Sequence, residues 1–136
     1  MEVSNRLFPT DAQMAHLHTD SETGPIYLLN LFKYKDKAEY LDGRVTELSG
    51  KQAYQLYGQP MIDVLAKYGA EVVFFSRVTG LLIGQIDELW DDFVIVKYPS
   101  RQALLDMTSS EEFKVLSVHR EAGLAGQLNI ETRIPE

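Results

Sequence analysis

No cysteine occurs in the 136 residues, which removes disulfides, thiolate metal ligands, a cysteine nucleophile and CxxC redox chemistry. Histidine is scarce. Of the three present, His16 and His18 stand two apart on an expected helix and so point to different faces, which argues against a metal pair. No HExxH, GxGxxG, Walker or GxSxG pattern is found, so phosphate-loop, zincin and serine-hydrolase readings lapse. Positive charge is in short supply too: 13 Lys and Arg against 20 Asp and Glu give a net charge of −7. Such a field repels phosphate backbones and anionic lipid, and neither nucleic acid nor membrane is expected as a partner. No apolar run approaches the roughly 18 residues of a membrane span. The first residues, MEVSNRLFPTDAQ, contain no basic segment followed by an apolar core, so no signal peptide is expected. These absences predict a soluble cytoplasmic protein without a metal or cofactor.

Apolar residues make up 45% of the chain, enough for one core and one domain over residues 1–136. The densest information lies between Trp90 and Phe113. Phe93 to Tyr98 is short, β-branched and aromatic, and apolar at both parities until Lys97, as suits a strand buried on both faces. Pro99 ends it, Ser100 caps a helix from Arg101, and Ser109 with Glu112 reads as a second capping box. Upstream, Thr10 and Gln13 cap a leading helix over Leu7 to His18, closed by a turn at Ser21 to Pro25. Residues 1–24 thus precede the core at 25–136. Ile26 to Tyr34 is a first strand and residues 35–50 a polar loop. A helix from Ser49 to Tyr68 follows, interrupted near Gly58 and Pro60 and ended by Gly69. A long second strand from Glu71 to Ile83 bends near Gly80, and residues 84–92 form the hairpin. After the third strand comes a helix broken between Met107 and Ser110. Gln127 to Ile134 alternates as a strand with one wet face.

The order after the leading helix is βαββαβ, a ferredoxin-like α+β fold with a four-stranded antiparallel sheet. Right-handed crossovers place the first and third strands in the middle and the other two at the edges. Two helices cover one sheet face only, yet the central strands read as apolar on both. A homodimer packed through the sheet face, closing a dimeric α/β barrel, would cover the second. The alternative is the leading helix or the long loop folding over it.

The segments GPIYLLNLFKYK, YLDG, GKQAYQLYG, KYGAEVVF, ELWDDFVIVKYPSRQALLDM and HREAGL, in that order, resemble the DUF1330 family in its longer version with a leading helix. The chain departs from it at Gly69-Ala70, where the family commonly has Gly-Gly. The resemblance implies membership of the dimeric α/β barrel superfamily. That superfamily includes cofactor-independent monooxygenases, haem-degrading enzymes, muconolactone isomerases and dehalogenase-like proteins, which use a cavity between sheet and helices. It selects no chemistry.

Residues expected to line such a cavity are Asn30, Tyr54, Tyr57, Arg77, Trp90, His119 and Arg120. His119 would serve as a general base, or else complement a helix C-terminus together with Arg120. Asn30, an amide in an apolar central strand, either orients a loop or enters a polar pocket. Tyr54 and Tyr57 either hydrogen-bond a ligand or pack. Trp90 is either a stacking face or a core or interface anchor, and Arg120 would pair an anionic group. The first functional reading is a small-molecule-binding protein or weak enzyme for an apolar carbonyl-bearing or anionic metabolite. The second is a non-catalytic dimeric module, and the third is haem binding through His119.

Overall fold

Burial along Ile26–Tyr34 alternates residue by residue, and this strand, β1, fixes the sheet around it. A computed structural model describes residues 1–19 and 23–135, so the expected turn at Ser21 to Pro25 lies in part outside them. Helix α1 spans Asp11–Leu17 and is followed by β1, α2 at Gly50–Lys67, β2 at Glu71–Arg77 and β3 at Asp92–Tyr98. The chain then forms α3 at Arg101–Thr108, α4 at Glu111–Gly123 and β4 at Leu124–Thr132. The four strands run antiparallel in the order β2-β3-β1-β4, the ferredoxin-like arrangement expected from the crossover rule.

One face of the sheet carries the core. Ile26, Leu28 and Phe32 of β1 and Val94, Val96 and Tyr98 of β3 pack against Met61, Val64 and Leu65 of α2 and Leu104 and Met107 of α3. Each such aliphatic side chain contributes about 1.5–3 kcal/mol by leaving water. Helix α2 begins in a reciprocal capping box, Gln52 N donating to Ser49 Oγ (3.1 Å) and Ser49 N to Gln52 Oε1 (2.9 Å). It ends before Gly69, whose φ of 73° only glycine adopts without strain. The interruption expected near Pro60 is absent from the helix, which runs on through it. Pro60 is exposed, so the Leu56 carbonyl it leaves without an N–H partner faces water. Helices α2 and α4 touch at two glycines. A Cβ on Gly50 would strike the carbonyls of Lys35 and Gly123, and one on Gly123 would strike the Gly50 carbonyl.

Several expected boundaries move. The leading helix is shorter than Leu7 to His18, although its Thr10 and Gln13 capping box forms. The cap of α4 is Ser110, accepting from Phe113 N at 3.2 Å, while Ser109 closes α3. Strand β2 stops at Arg77 instead of reaching Ile83. The apolar run that suggested its extension lies exposed in the 78–91 connection, Leu82 at 98% and Ile83 at 92%. Helix α4 passes straight into β4, Gly123 being its last residue and Leu124 the first of the strand.

That early start keeps the alternation of β4 but sets its sides. Gln127, Asn129 and Glu131 stand opposite Phe32, Asn30 and Leu28, so the polar side faces the helices. Leu128 and Ile130 join Leu31 and Leu29 on the other face. With Phe93, Ile95 and Phe74 they form an apolar surface, none of it part of the helix-side core. The leading helix does not cover it. Leu17 packs against the core, and His16 Nε2 lies 3.3 Å from Glu131 Oε1 on the helix side.

Candidate functional site

Because β4 turns its amides toward the helices, Asn30 finds a partner there. Gln127 Nε2 donates to Asn30 Oδ1 at 2.7 Å, and Arg120 Nη2 donates to Gln127 Oε1 and to Leu7 O, both at 2.7 Å. Asn30 Nδ2 makes longer contacts with Leu28 O (3.2 Å) and Val94 O (3.4 Å). Asn30 is 7% exposed, and this chain supplies what a buried amide needs. Arg120 thus ties α4, β4 and the N-terminal segment together and does not cap the carbonyls of its own helix. Its Nε and Nη1 have no protein partner among the described residues.

Beside this chain lies a row of phenols. Tyr54 packs against Phe32 (ring centroids 4.9 Å apart), Tyr34 (5.5 Å) and Tyr57 (5.4 Å). Burial pushes the Tyr54 hydroxyl well above its ordinary pKa, with Tyr57, Tyr34 and Tyr98 adding to the rise and Arg120 opposing it. Tyr57 and Tyr98 are also raised, first by burial. All three stay protonated at neutral pH and can donate. Among the described residues none of these hydroxyls has a hydrogen-bond partner.

His119 is turned elsewhere. Its Nδ1 lies 2.6 Å from the Tyr40 hydroxyl, on the loop between β1 and α2, and Arg44 sits over the Tyr40 ring at 4.5 Å. Arg44 is held in turn by Asp42 at 2.6 Å. Burial and then the Arg44 charge lower the His119 pKa, so the imidazole is neutral near pH 7. With the phenol donating, the proton of the ring sits on Nε2.

Arg77 and Trp90 stand at the end of the sheet. Trp90 Nε1 donates to Asn5 Oδ1 at 2.7 Å, which makes it an anchor for the N-terminal segment. Arg77 lines a cleft of about 650 Å³ with Tyr34, Lys35, Asp36, Lys51 and Asp92. On its floor the Tyr34 hydroxyl donates to Asp92 Oδ2 at 2.6 Å, and burial first, then Asp92, raises the Tyr34 pKa. Burial works against the charge of neighbouring Lys33, but Glu88 (3.2 Å) and Asp91 (3.4 Å) outweigh it and hold its pKa above the usual value. Neither Gln127 nor the Tyr34–Asp92 pair was singled out from the sequence. A usable signal existed: Tyr34 shares the parity of Asn30, and Asp92 that of the buried side of β3.

Sheet order, one-sided helices and a buried polar chain define an α+β protein of ferredoxin-like architecture. The chain belongs to the family described as Domain of unknown function (DUF1330), whose model matches residues 34–131. Among solved structures it is similar to methylated RPA0582 at 30% identity and a TM-score of 0.88, with 98% of each chain covered. It is also similar to RPA0582, a protein of unknown function from Rhodopseudomonas palustris, at 28% identity and a TM-score of 0.87, covering 98% of this chain and 99% of that one. A dimeric protein of unknown function and ferredoxin-like fold from Bacteroides fragilis matches at 11% identity and a TM-score of 0.50, with 81% and 96% covered. A search of the curated proteins finds no match.

Proposed function

We propose that this protein binds a small apolar metabolite carrying a carbonyl or an anionic group, seated between sheet and helices, and that it does so as a homodimer. The observation that carries the binding reading is the set of uncommitted donors around Arg120. Its Nε and Nη1, and the hydroxyls of Tyr54, Tyr57 and Tyr98, have no acceptor among the described residues. Water still reaches these donors, and a ligand carbonyl or carboxylate would take its place. Asn30 acts here through Gln127, holding Arg120 in place. His119, bonded to Tyr40, lies outside this reading.

Thermal-shift measurements with small keto acids and aromatic carboxylates test it. At least one compound is expected to raise the melting temperature of the wild type, and Arg120→Met and Tyr54→Phe to lose that rise while remaining folded. A panel without effect on the wild type, or an undiminished rise in both variants, would overturn it.

The homodimer reading rests on the apolar second face of the sheet, where Leu29, Leu31, Phe93, Ile95 and Leu128 are half-buried and Phe74 and Ile130 exposed. A contiguous apolar surface of this kind marks an interface. The Bacteroides fragilis relative, of the same general fold, is described as dimeric.

A further inference from the structure

The cleft at the end of the sheet pairs its charges unevenly. Lys33, Lys35, Lys51 and Arg77 line it opposite four acids, Asp36, Glu88, Asp91 and Asp92. Lys33 is committed to Glu88 and Asp91. Lys35 and Arg77 have no partner for their charged groups among the described residues. Lys51 is only loosely held, its Nζ 3.9 Å from Asp92 Oδ2 and 6.0 Å from the centre of the Tyr34 ring. Because Lys33 takes both Glu88 and Asp91, the three cations Lys35, Lys51 and Arg77 are left facing two carboxylates, Asp36 and Asp92.

The floor offers an acceptor. Asp92 is 1% exposed, and while its Oδ2 accepts from Tyr34, its Oδ1 has no donor among the described residues. Tyr34 has its one proton committed to Asp92 and none left to donate to a ligand. A molecule that places an acidic group among Lys35, Lys51 and Arg77 and a hydroxyl against Asp92 Oδ1 would engage both.

We infer that the sheet-end cleft is a second binding site, for a small anion that carries a hydroxyl beside its acidic group, either a hydroxycarboxylate or a polyol phosphate. It adjoins the Arg120 layer through the Tyr34 and Tyr54 rings, whose centroids are 5.5 Å apart. Hydroxyl and anion are read by different residues, so the two halves of the ligand are separable in an experiment.

Backbone amide NMR of the full chain, titrated with glycerol 3-phosphate, glycerate, inorganic phosphate and glycerol, tests this. Glycerol 3-phosphate or glycerate is expected to shift the amides of residues 34–36, 49–51 and 77–78 saturably; whichever binds more tightly identifies the acidic group. Phosphate should bind about tenfold more weakly than the better of the two, and glycerol not at all. Lys51→Gln and Arg77→Gln, both at exposed side chains, should each raise the dissociation constant about tenfold. Arg120→Met should leave it unchanged. Absence of saturable shifts, affinity retained in both the Lys51 and Arg77 variants, or phosphate binding as tightly as the hydroxylated anions would overturn the inference. Loss of binding in Arg120→Met would overturn it too, by assigning the shifts to the inner layer.

Discussion

Arg101 and Glu131 meet fork to fork, Nε to Oε2 and Nη2 to Oε1 both at 2.7 Å, joining the start of α3 to the edge strand β4. Arg101 also donates from Nη1 to the Thr19 hydroxyl (2.9 Å), so this pair anchors the leading segment to the core. Its side chain is 6% exposed and that of Glu131 20%. Removing the carboxylate from so buried a guanidinium is costly.

Glu131→Gln is therefore expected to lower stability by about 3 kcal/mol at neutral pH. The Arg101 hydrogen bonds, opposed by burial and helped by His16, bring the Glu131 pKa from 4.5 down to about 2. A depressed folded value means that the contribution is complete above the unfolded pKa, shrinks as pH falls below it, and is gone below the folded one. Urea unfolding of wild type and variant at neutral pH and at about pH 3 checks this; the gap between them should narrow in acid.

The Tyr40–His119 bond gives a second pH dependence, nearer neutrality. Burial and Arg44 lower the His119 pKa, so the folded protein binds fewer protons than the unfolded chain just below the ordinary value of 6.5. Stability from this group is present above that value and declines as pH falls toward the folded pKa. His119→Gln should remove this part of the slope. Chemical denaturation of both proteins between pH 7.5 and about pH 5 reads it directly.

The crossing of α2 and α4 separates two kinds of glycine. Gly123→Ala puts a methyl group into the Gly50 carbonyl and against Tyr54 N at 2.8 Å, and should cost more than about 2 kcal/mol. Gly58→Ala meets nothing nearer than the Tyr54 ring at 3.6 Å and should stabilise α2 by about 0.5–1 kcal/mol. Thermal melts of the two variants should move in opposite directions.

On the second face of the sheet, Phe74→Glu alters a residue that is 52% exposed and packs on Phe93 at 6.0 Å. Sedimentation velocity is expected to show a wild-type dimer and a Phe74→Glu monomer with an unchanged circular dichroism spectrum. A wild type that sediments as a monomer at micromolar concentration contradicts the homodimer reading.

Local signals carried much of this fold into the sequence. The bounds of β1, the Thr10 and Ser49 capping boxes and the stop at Gly69 are each written within a few residues, because cap and turn chemistry is local. The sides of β4 were not legible in this way. Alternation states that Leu128 and Asn129 face apart, but only the register with β1 says which of them meets the helices. The same limit hid the Asn30–Gln127–Arg120 chain, whose members lie 97 and 7 positions apart. Leu81 to Ile83 failed for a different reason: an apolar run reads as strand whether it is buried or, as here, left in water.

The direct passage from α4 into β4 leaves no slack between them. Arg120 and Gln127 grip one another across that joint at 2.7 Å, three residues before it and three after its first strand residue. Helix and strand are therefore levers on a stiff elbow, and a tilt of α4 cannot be absorbed by a flexible connector. Anything that pulls on the Arg120 guanidinium is transmitted to the outer edge of the sheet, where Leu128 and Ile130 look away from the helices.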